Sequence, residues 1–437
     1  METVETIKND TPLWDKGKLF IKSIVIFGIA LFLWVPTFFI MGMVREREGR
    51  QKEAILDISS KWAGKQTVTG PLLMLPYREF VSQANNGVTV EKHYAYFMAD
   101  KLEISSTVSP DKRKRGVYEV AVYKSEIKLN GSFASIPWQK LDIPKDQIDF
   151  NEAKLVFKIG DAIRGINEEL QVKWKDSSYT FTQQATGEAQ LEEAFVAPIP
   201  FTEESAASPA EFSMQFSMNG SGQLLFATAA RENKIQLRSN WPDPAFTGIK
   251  LPDTRQVNDS GFTASWKYLN RSVPQVWKNN FYNLSNTTVG ADLLIPVDTY
   301  DKTERSVKYA LLCIMLTFAA FFLVETIYKR SLHLVQYGLA GLALVLFYTL
   351  LLSISEYTGF NLAYAIAGVS TIGMIGWFVG SVLRSSKLAL FISMVLTVVY
   401  AYIFSIIQLQ DYALLMGSIG LFVALGVIMY FARKLDW

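Results

Sequence analysis

The stretch that most constrains this chain is residues 306–437, which is almost free of charged residues and breaks into segments long enough to cross a bilayer. A spanning helix needs about 20 mostly apolar residues. Five segments have that length, namely residues 307–327, 332–354, 360–383, 388–409 and 412–432. The chain is therefore predicted to be an integral membrane protein.

Charged residues in the short breaks between these segments predict how the chain crosses the membrane. Glu356 and Asp411 lie in two of the breaks, whereas basic pairs follow the first, third and fifth segments, namely Lys329 with Arg330, Arg384 with Lys387, and Arg433 with Lys434. Cytoplasmic loops are enriched in Lys and Arg, and this rule is most reliable for short loops. We therefore expect a cytoplasmic C-terminus, with Glu356 and Asp411 at the outer face.

A sixth apolar segment, residues 19–44, follows a tail, residues 1–18, that carries Lys8, Lys16 and Lys18. The segment is longer than the apolar core of a signal peptide and shows no small-residue cleavage site, so we predict an uncleaved anchor. Six crossings and a cytoplasmic C-terminus require a cytoplasmic N-terminus. Residues 45–305 are then extracytoplasmic.

This extracytoplasmic segment is predicted to begin with an amphipathic helix over residues 45–63 and to continue as a β-rich domain. Apolar and polar residues alternate most clearly over residues 212–218, and the pairs Asn130-Gly131 and Asn219-Gly220 are typical of turns. The predicted fold class is α+β. It comprises six transmembrane helices, one N-terminal and five in a C-terminal bundle, with a large β-rich domain between the first and second helices. Either a sandwich or an open barrel fits this domain.

Short strings along nearly the whole chain after the first span carry a family resemblance. They include Gly49-Arg50, Ser239-Asn240-Trp241-Pro242, Gly261-Phe262, Ser355-Glu356 and Asp411-Tyr412, in this order and spacing. With them the chain resembles the CreD family of bacterial inner-membrane proteins. The resemblance implies a role in cell-envelope integrity, tolerance to certain colicins and association with a two-component system, without an established biochemical activity. Tyr357 and Gln410 depart from the family pattern, which has a histidine and an acidic residue at these positions.

The chain has few histidines and cysteines, the residues that most often build zinc sites and nucleophilic catalytic sites. Its two histidines, His93 and His333, are expected on opposite sides of the membrane, and no nucleophile motif accompanies either. The single cysteine, Cys313, lies within a predicted span. Structural zinc needs about four ligands and catalytic zinc about three, and no calcium loop or phosphate-binding loop is present. We expect no catalytic residue, no cofactor and no metal.

The carboxylates Glu356 and Asp411 are the polar residues of greatest functional interest. Their simplest role is that of turn residues at the membrane interface, where a charge costs much less than in mid-membrane. The alternative is that they dock the external domain onto the bundle by pairing with cations that the predicted topology places at the same face, namely Arg45, Arg47 and Arg305.

Two further charged groups have expected partners. Glu325 lies one turn before Lys329 and Arg330 and is expected to pair with one of them. The basic run of residues 112–115 lies between two predicted strands and is expected to be a solvated edge, with contact to anionic lipid as the alternative.

The sequence patterns predict a multi-pass, non-enzymatic membrane protein with both termini cytoplasmic, and the family resemblance implies the bacterial inner membrane, with the large domain in the periplasm. Its expected partners are the lipid bilayer and either other envelope proteins or anionic lipid; a net charge of only +2 argues against nucleic acid. The alternative function is a transporter or lipid-handling protein, with the periplasmic domain as its gate or its receptor. Against it stands the lack of a mid-membrane charge and of two matching halves. A third class, an enzyme acting on cell-wall material, would need a pair of acids clustered in the β-rich domain.

Overall fold

A computed structural model describes residues 13–82, 88–183, 194–271, 273–278, 282, 284–293, 298–328, 331–409 and 412–432. The chain divides into two units. One, the helical unit, contains residues 1–52 and 296–437, and the other, the β unit, contains residues 53–295. The predicted fold class is confirmed, because apolar helices flank a large β-rich region in an α+β chain.

Within the described ranges the helices are α1 (Leu13–Trp62), α2 (Ala162–Gly165), α3 (Glu203–Ala206), α4 (Asp298–Lys308), α5 (Ala310–Tyr328), α6 (Leu334–Thr358), α7 (Phe360–Leu383), α8 (Ser386–Gln408) and α9 (Ala413–Ala432). Of the parts of these helices that the structure describes, five are long and apolar enough to cross a membrane, namely α1, α5, α6, α7 and α8. The last predicted segment forms α9. The helix predicted over residues 45–63 is the continuation of α1.

The segment before α5 is a separate helix that the apolar pattern did not predict. The first predicted span of the C-terminal block began at residue 307, but α4 already covers Asp298–Lys308 and α5 begins at Ala310. Tyr300, Thr303 and Val307 are buried on one face of α4, whereas Asp301 and Lys308 are exposed. A helix with so many charged residues has no hydropathy signal, although its burial is clearly one-sided.

Small residues allow the helices of the helical unit to approach one another closely. A Cβ atom at Gly341 of α6 would collide with Leu33 of α1 and with the ring of Phe318 of α5. Gly376 and Gly380 of α7 face Ser393 and Ala389 of α8 in the same way. Small residues at such positions bring backbones together where no water is available to drive apolar association.

The β unit contains two sheets. Their strands, within the described residues, are β1 (Gln66–Ser82), β2 (Val88–Phe97), β3 (Ala99–Arg115), β4 (Tyr118–Phe133), β5 (Lys154–Ile159), β6 (Gln171–Trp174), β7 (Ser177–Thr180), β8 (Thr182–Gln183), β9 (Phe195–Pro198), β10 (Ala210–Ser221), β11 (Gln223–Ala227), β12 (Ala230–Ser239), β13 (Pro244–Gly248), β14 (Thr254–Asn258), β15 (Gly261–Leu269), β16 (Val276–Lys278) and β17 (Thr288–Leu293).

The nine strands described for the first sheet run in the order β13-β17-β11-β1-β5-β9-β8, with β2 on β1 and β16 on β2; the eight of the second run β14-β15-β12-β3-β4-β10-β6-β7. Most pairs are antiparallel, and β1 with β11 and β3 with β12 are parallel. Aromatic rings join the two sheets, with Phe157 of β5 5.5 Å from Phe216 of β10 and Phe246 of β13 6.0 Å from Trp266 of β15. The sheets therefore share one hydrophobic core.

The two predicted Asn-Gly turns are wrong, because both pairs lie inside long strands. Asn130-Gly131 belongs to β4 and Asn219-Gly220 to β10. Gly131 lies opposite Phe212, and Gly220 lies opposite Tyr123, in the β4–β10 ladder. In each case the aromatic ring occupies the space that a Cβ atom on the glycine would need. These glycines therefore serve cross-strand aromatic packing rather than chain reversal.

Candidate functional site

One end of the helical unit, which we call the arginine end, holds a nearly buried carboxylate. Glu356 lies in the last turn of α6 with a side chain only 9% exposed, where the helix dipole disfavours a negative charge. Arg47 of α1 compensates, with its Nε 3.7 Å from the Glu356 Oε1. The Tyr300 hydroxyl of α4 donates a hydrogen bond to the same oxygen at 3.2 Å.

A second ion pair at the arginine end joins α1 directly to α4. The Arg45 Nη2 lies 3.1 Å from the Glu304 Oε1, and the Lys308 Nζ lies 3.4 Å from it. Burial by itself would raise the pKa of the Glu304 carboxyl, but the hydrogen bonds and charges of Arg45 and Lys308 outweigh it and lower that pKa. Glu304 is therefore ionised at neutral pH, and it stabilises the contact between α1 and α4.

Of the five residues singled out from the sequence, the structure brings two together, Arg47 and Glu356. Arg45 lies nearby but pairs with Glu304. Arg305 is half-buried on α4, and the described partners of Glu356 are Arg47 and Tyr300. Asp411 lies outside the described residues. The pairs that are described connect α1 to α4 and α6 inside the helical unit, and docking of the external domain stays a prediction.

Sequence reasoning missed Tyr300 and Glu304. Both were assigned to the external domain, since no apolar run marks α4. The i,i+4 spacing of Glu304 and Lys308 was the available signal, because oppositely charged residues four apart favour a helix.

The opposite end of the same helices, which we call the lysine end, holds a second group of charged and polar side chains. Lys22 of α1 forms an ion pair with Glu325 of α5 and donates a hydrogen bond to the Leu332 carbonyl at 2.7 Å. The Tyr337 hydroxyl of α6 donates to the Glu325 Oε2 at 3.0 Å. The described cationic partner of Glu325 is thus a lysine 303 positions earlier. Lys329 and Arg330, its expected partners, lie outside the described residues.

The contacts at the two ends give the relative directions of α1, α5 and α6. Lys22, Glu325 and Tyr337 meet at one end, Leu33, Phe318 and Gly341 meet midway, and Arg47 meets Glu356 at the other. Helix α1 is therefore parallel to α6 and antiparallel to α5. Charged groups occupy the two ends and apolar contacts the middle, as expected of helices that cross a bilayer.

Between the two ends lies a buried polar cluster. Cys313, Tyr348 and Tyr400 are buried in the same core of the helical unit, and the Tyr400 hydroxyl has no hydrogen-bond partner among the described residues. The Tyr364 hydroxyl donates to the Tyr400 carbonyl at 2.9 Å, and the rings of Tyr364 and Tyr400 both pack against Phe347. Over the part of the chain that the structure describes, no three His, Cys, Asp or Glu side chains are grouped so that they could hold a metal ion.

Comparison with known proteins gives a match over almost the entire chain. The family model described as "Inner membrane protein CreD" matches residues 18–437. A protein of Escherichia coli (strain K12) with the same description is 30% identical over 429 residues, covering 97% of this chain and 94% of that protein.

Among solved structures, a crystal structure from Parabacteroides distasonis ATCC 8503, provisionally described as a protease, aligns with 69% of this chain and 58% of that one. The sequence identity is 12% and the TM-score is 0.20, so this likeness carries no argument about fold or activity. The family match is of a different kind, because it extends from the first apolar helix to the last residue of the chain. The chain therefore belongs to the CreD family of inner membrane proteins.

Proposed function

We propose that this protein supports the integrity of the bacterial cell envelope without catalysing a reaction, with its β unit in the periplasm and both termini in the cytoplasm. The observation that carries the proposal is membership of the CreD family over residues 18–437. In this orientation the arginine end of the helical unit faces the periplasm and the lysine end faces the cytoplasm, in agreement with the distribution of Lys and Arg among the short loops.

The contacts at the arginine end suggest how such a role would work. The chain leaves the helical unit through α1 and returns through α4, and the pair Arg45–Glu304 joins these two helices. Arg47 and Tyr300 then connect both helices to Glu356 of α6. Both chain connections of the β unit therefore start from neighbouring, ion-paired points of the helical unit. Paired attachment points of this kind suit a helical unit that anchors an extracytoplasmic domain to the membrane.

The proposal can be tested by complementing a deletion strain and measuring envelope sensitivity to detergent, to a large dye and to colicins. Three forms are compared at equal protein levels, namely the whole chain, residues 1–305, and the whole chain with Glu356→Gln. The matched control is Glu46→Gln, at an exposed ion pair of α1. We expect rescue by the whole chain and by the control. A deletion strain with a normal envelope in all three assays would contradict the proposed role.

A second candidate function, transport or lipid handling by the bundle, is favoured by the polar cluster around Cys313. Polar side chains inside a membrane bundle often mark a path for a substrate or an ion. Thr371 adds a buried hydroxyl that has no hydrogen-bond partner among the described residues. If the form that contains only residues 1–305 restores the envelope, this candidate is excluded, because that form lacks the end of α4 and the helices that follow it. Rescue by the whole chain alone would favour it.

A further inference from the structure

The β unit contains an open cleft at the tip of its longest hairpin. Strands β3 and β4 pair over fifteen residue pairs, from Lys101 with Ser132 to Arg115 with Tyr118. The tip carries the basic run of residues 112–115, and it lies against the last turns of α1. Between them is a cleft of about 360 Å³, lined by residues 113–115 of the hairpin and by Asp57, Ile58, Lys61 and Trp62 of α1.

The lining of this cleft is strongly cationic. Four of the lining side chains are basic, namely Lys61, Arg113, Lys114 and Arg115, and one, Asp57, is acidic. Asp57 pairs with both Lys61 and Arg115, so a single carboxylate is shared between two cations. The cleft therefore has excess positive charge.

Two acidic residues that do not line the cleft pair with the other two basic side chains, Arg113 and Lys114. These pairs leave the cleft open. Arg113 pairs with Asp111 at 3.1 Å and Lys114 with Glu119 at 2.7 Å. The Lys114 hydrogen bond lowers the pKa of the Glu119 carboxyl. Arg113 and Lys114 nevertheless remain 54% and 69% exposed, so both can still reach a ligand.

The floor of the cleft is apolar, and its Trp62 ring is fixed by contacts with β4 and with Arg113. Trp62 donates its indole N–H to the Tyr123 carbonyl at 3.4 Å, which fixes the edge of the ring against β4. The Arg113 guanidinium lies over the ring face, 5.3 Å from its centre, and keeps one cation next to the apolar surface. Ile58, one turn earlier on α1, extends this surface and is itself only half-buried.

We propose that this cleft binds the phosphate headgroup of an anionic membrane lipid, with the phosphate among the basic side chains and the first carbons of the lipid on Ile58 and Trp62. The apolar floor favours this ligand over free phosphate, because inorganic phosphate would leave Ile58 and Trp62 without a partner from the ligand. A zwitterionic lipid would bring a cation into a cleft that already has an excess of positive charge. The volume lies at the lower end of ligand pockets, so it suits a headgroup and a short apolar segment rather than a whole lipid.

The test uses the full chain purified in a neutral detergent and titrated calorimetrically with dihexanoyl phosphatidylglycerol, which is soluble and anionic. Parallel titrations use dihexanoyl phosphatidylcholine and inorganic phosphate. The variant is Arg113→Gln/Lys114→Gln, in which two exposed cations become neutral. The matched control is Lys124→Gln/Lys128→Gln, two exposed lysines farther along β4 that do not line the cleft.

We expect the wild type and the control to bind the anionic lipid equally, and the Arg113/Lys114 variant to bind it about 30-fold more weakly, since each basic group near an anionic lipid contributes about 1 kcal/mol. Ile58→Ser should weaken lipid binding and leave the response to inorganic phosphate unchanged. Unchanged affinity in the Arg113/Lys114 variant would overturn the proposal, as would equally tight binding of phosphatidylcholine. Inorganic phosphate binding as tightly as the lipid would overturn the assignment to a lipid.

Discussion

At the scale of single residues, the glycines of the β4–β10 ladder are predicted to be irreplaceable. The Phe212 ring fills the space above Gly131, so Gly131→Val forces a branched side chain into a filled volume. Overpacking of this kind costs about 1–3 kcal/mol of unfolding free energy. We expect a clearly lower melting temperature for the full chain in detergent, followed by β-sheet circular dichroism.

The control for this prediction is Lys128→Val on the same strand. Lys128 is exposed, and valine favours strands, so its effect should stay within about 0.5 kcal/mol. A melting temperature for Gly131→Val equal to that of Lys128→Val would show that the ring can move aside.

The pair Arg47–Glu356 is expected to stabilise the helical unit more than an ordinary surface pair. Glu356 is nearly buried, whereas Arg47 is 43% exposed, which limits the effect by solvent screening. A double-mutant cycle with Arg47→Ala and Glu356→Gln should give a coupling energy of about 1 kcal/mol. The cycle for Arg50 and Glu46, an exposed i,i+4 pair of α1, should give roughly 0.3–0.5 kcal/mol. Additive effects of Arg47→Ala and Glu356→Gln would show that the pair is not coupled.

Predictions about single residues were right where they rested on the topology of the whole chain and wrong where they rested on a local turn motif. The charge rule for short loops put Arg47 and Glu356 at one face, and the two residues do pair. The Asn-Gly rule is local, and it gave wrong turns because Phe212 and Tyr123, distant in sequence, require glycine opposite them. Tertiary packing can override local propensity in this way, since the space beside a strand is set by its partner.

At the scale of helices, the lysine end is predicted to hold α1 against α5 and α6. Lys22→Met leaves the Glu325 carboxylate, 11% exposed, without its cation, and an unpaired charge in such a position costs about 2 kcal/mol. The double variant Lys22→Met/Glu325→Gln removes the charge and keeps an acceptor for the Tyr337 hydroxyl. It should therefore recover much of the lost melting temperature.

Lys52→Met is the matched control, because Lys52 pairs with Glu48 four residues away and is 71% exposed. We expect a change within about 0.5 kcal/mol. If Lys22→Met behaved like Lys52→Met, the ion pair at the lysine end would not contribute to helix packing.

The sequence predicts those helices whose residues form a continuous apolar run. Segments 360–383 and 388–409 correspond closely to α7 (Phe360–Leu383) and α8 (Ser386–Gln408), because burial in lipid demands a continuous apolar run. Helix α4 was not found, because it has one buried face and an ion pair to α1 rather than a continuous apolar run. Strand ends were set by partners that no local window contains, as β10 extends to Ser221, past its Asn-Gly pair.

At the scale of the whole molecule, the ion pairs at both ends of α1, α5 and α6 show which charged residues of these helices share an end of the helical unit. Lys22, Glu325 and Tyr337 share one end, and Arg45, Arg47, Glu304 and Glu356 share the other. Because Glu325 and Glu356 lie at opposite ends, the chain between them must cross the membrane an odd number of times. The absolute orientation follows only from the loop charges, so it needs its own test.

That test can use cysteine labelling, because the single natural cysteine, Cys313, is buried and should react little. Tyr357→Cys replaces a side chain that is 80% exposed beside Glu356, and Ser386→Cys lies beyond the far end of α7, with Arg384 and Lys387 kept intact. In spheroplasts, a membrane-impermeant maleimide should label Tyr357→Cys, because the arginine end is expected to face the periplasm. Ser386→Cys should be labelled only after the membrane is disrupted.

The reverse pattern would place the β unit in the cytoplasm, because α1 is parallel to α6 and leaves the membrane at the same end. Labelling of both variants in intact spheroplasts would mean that α7 does not cross.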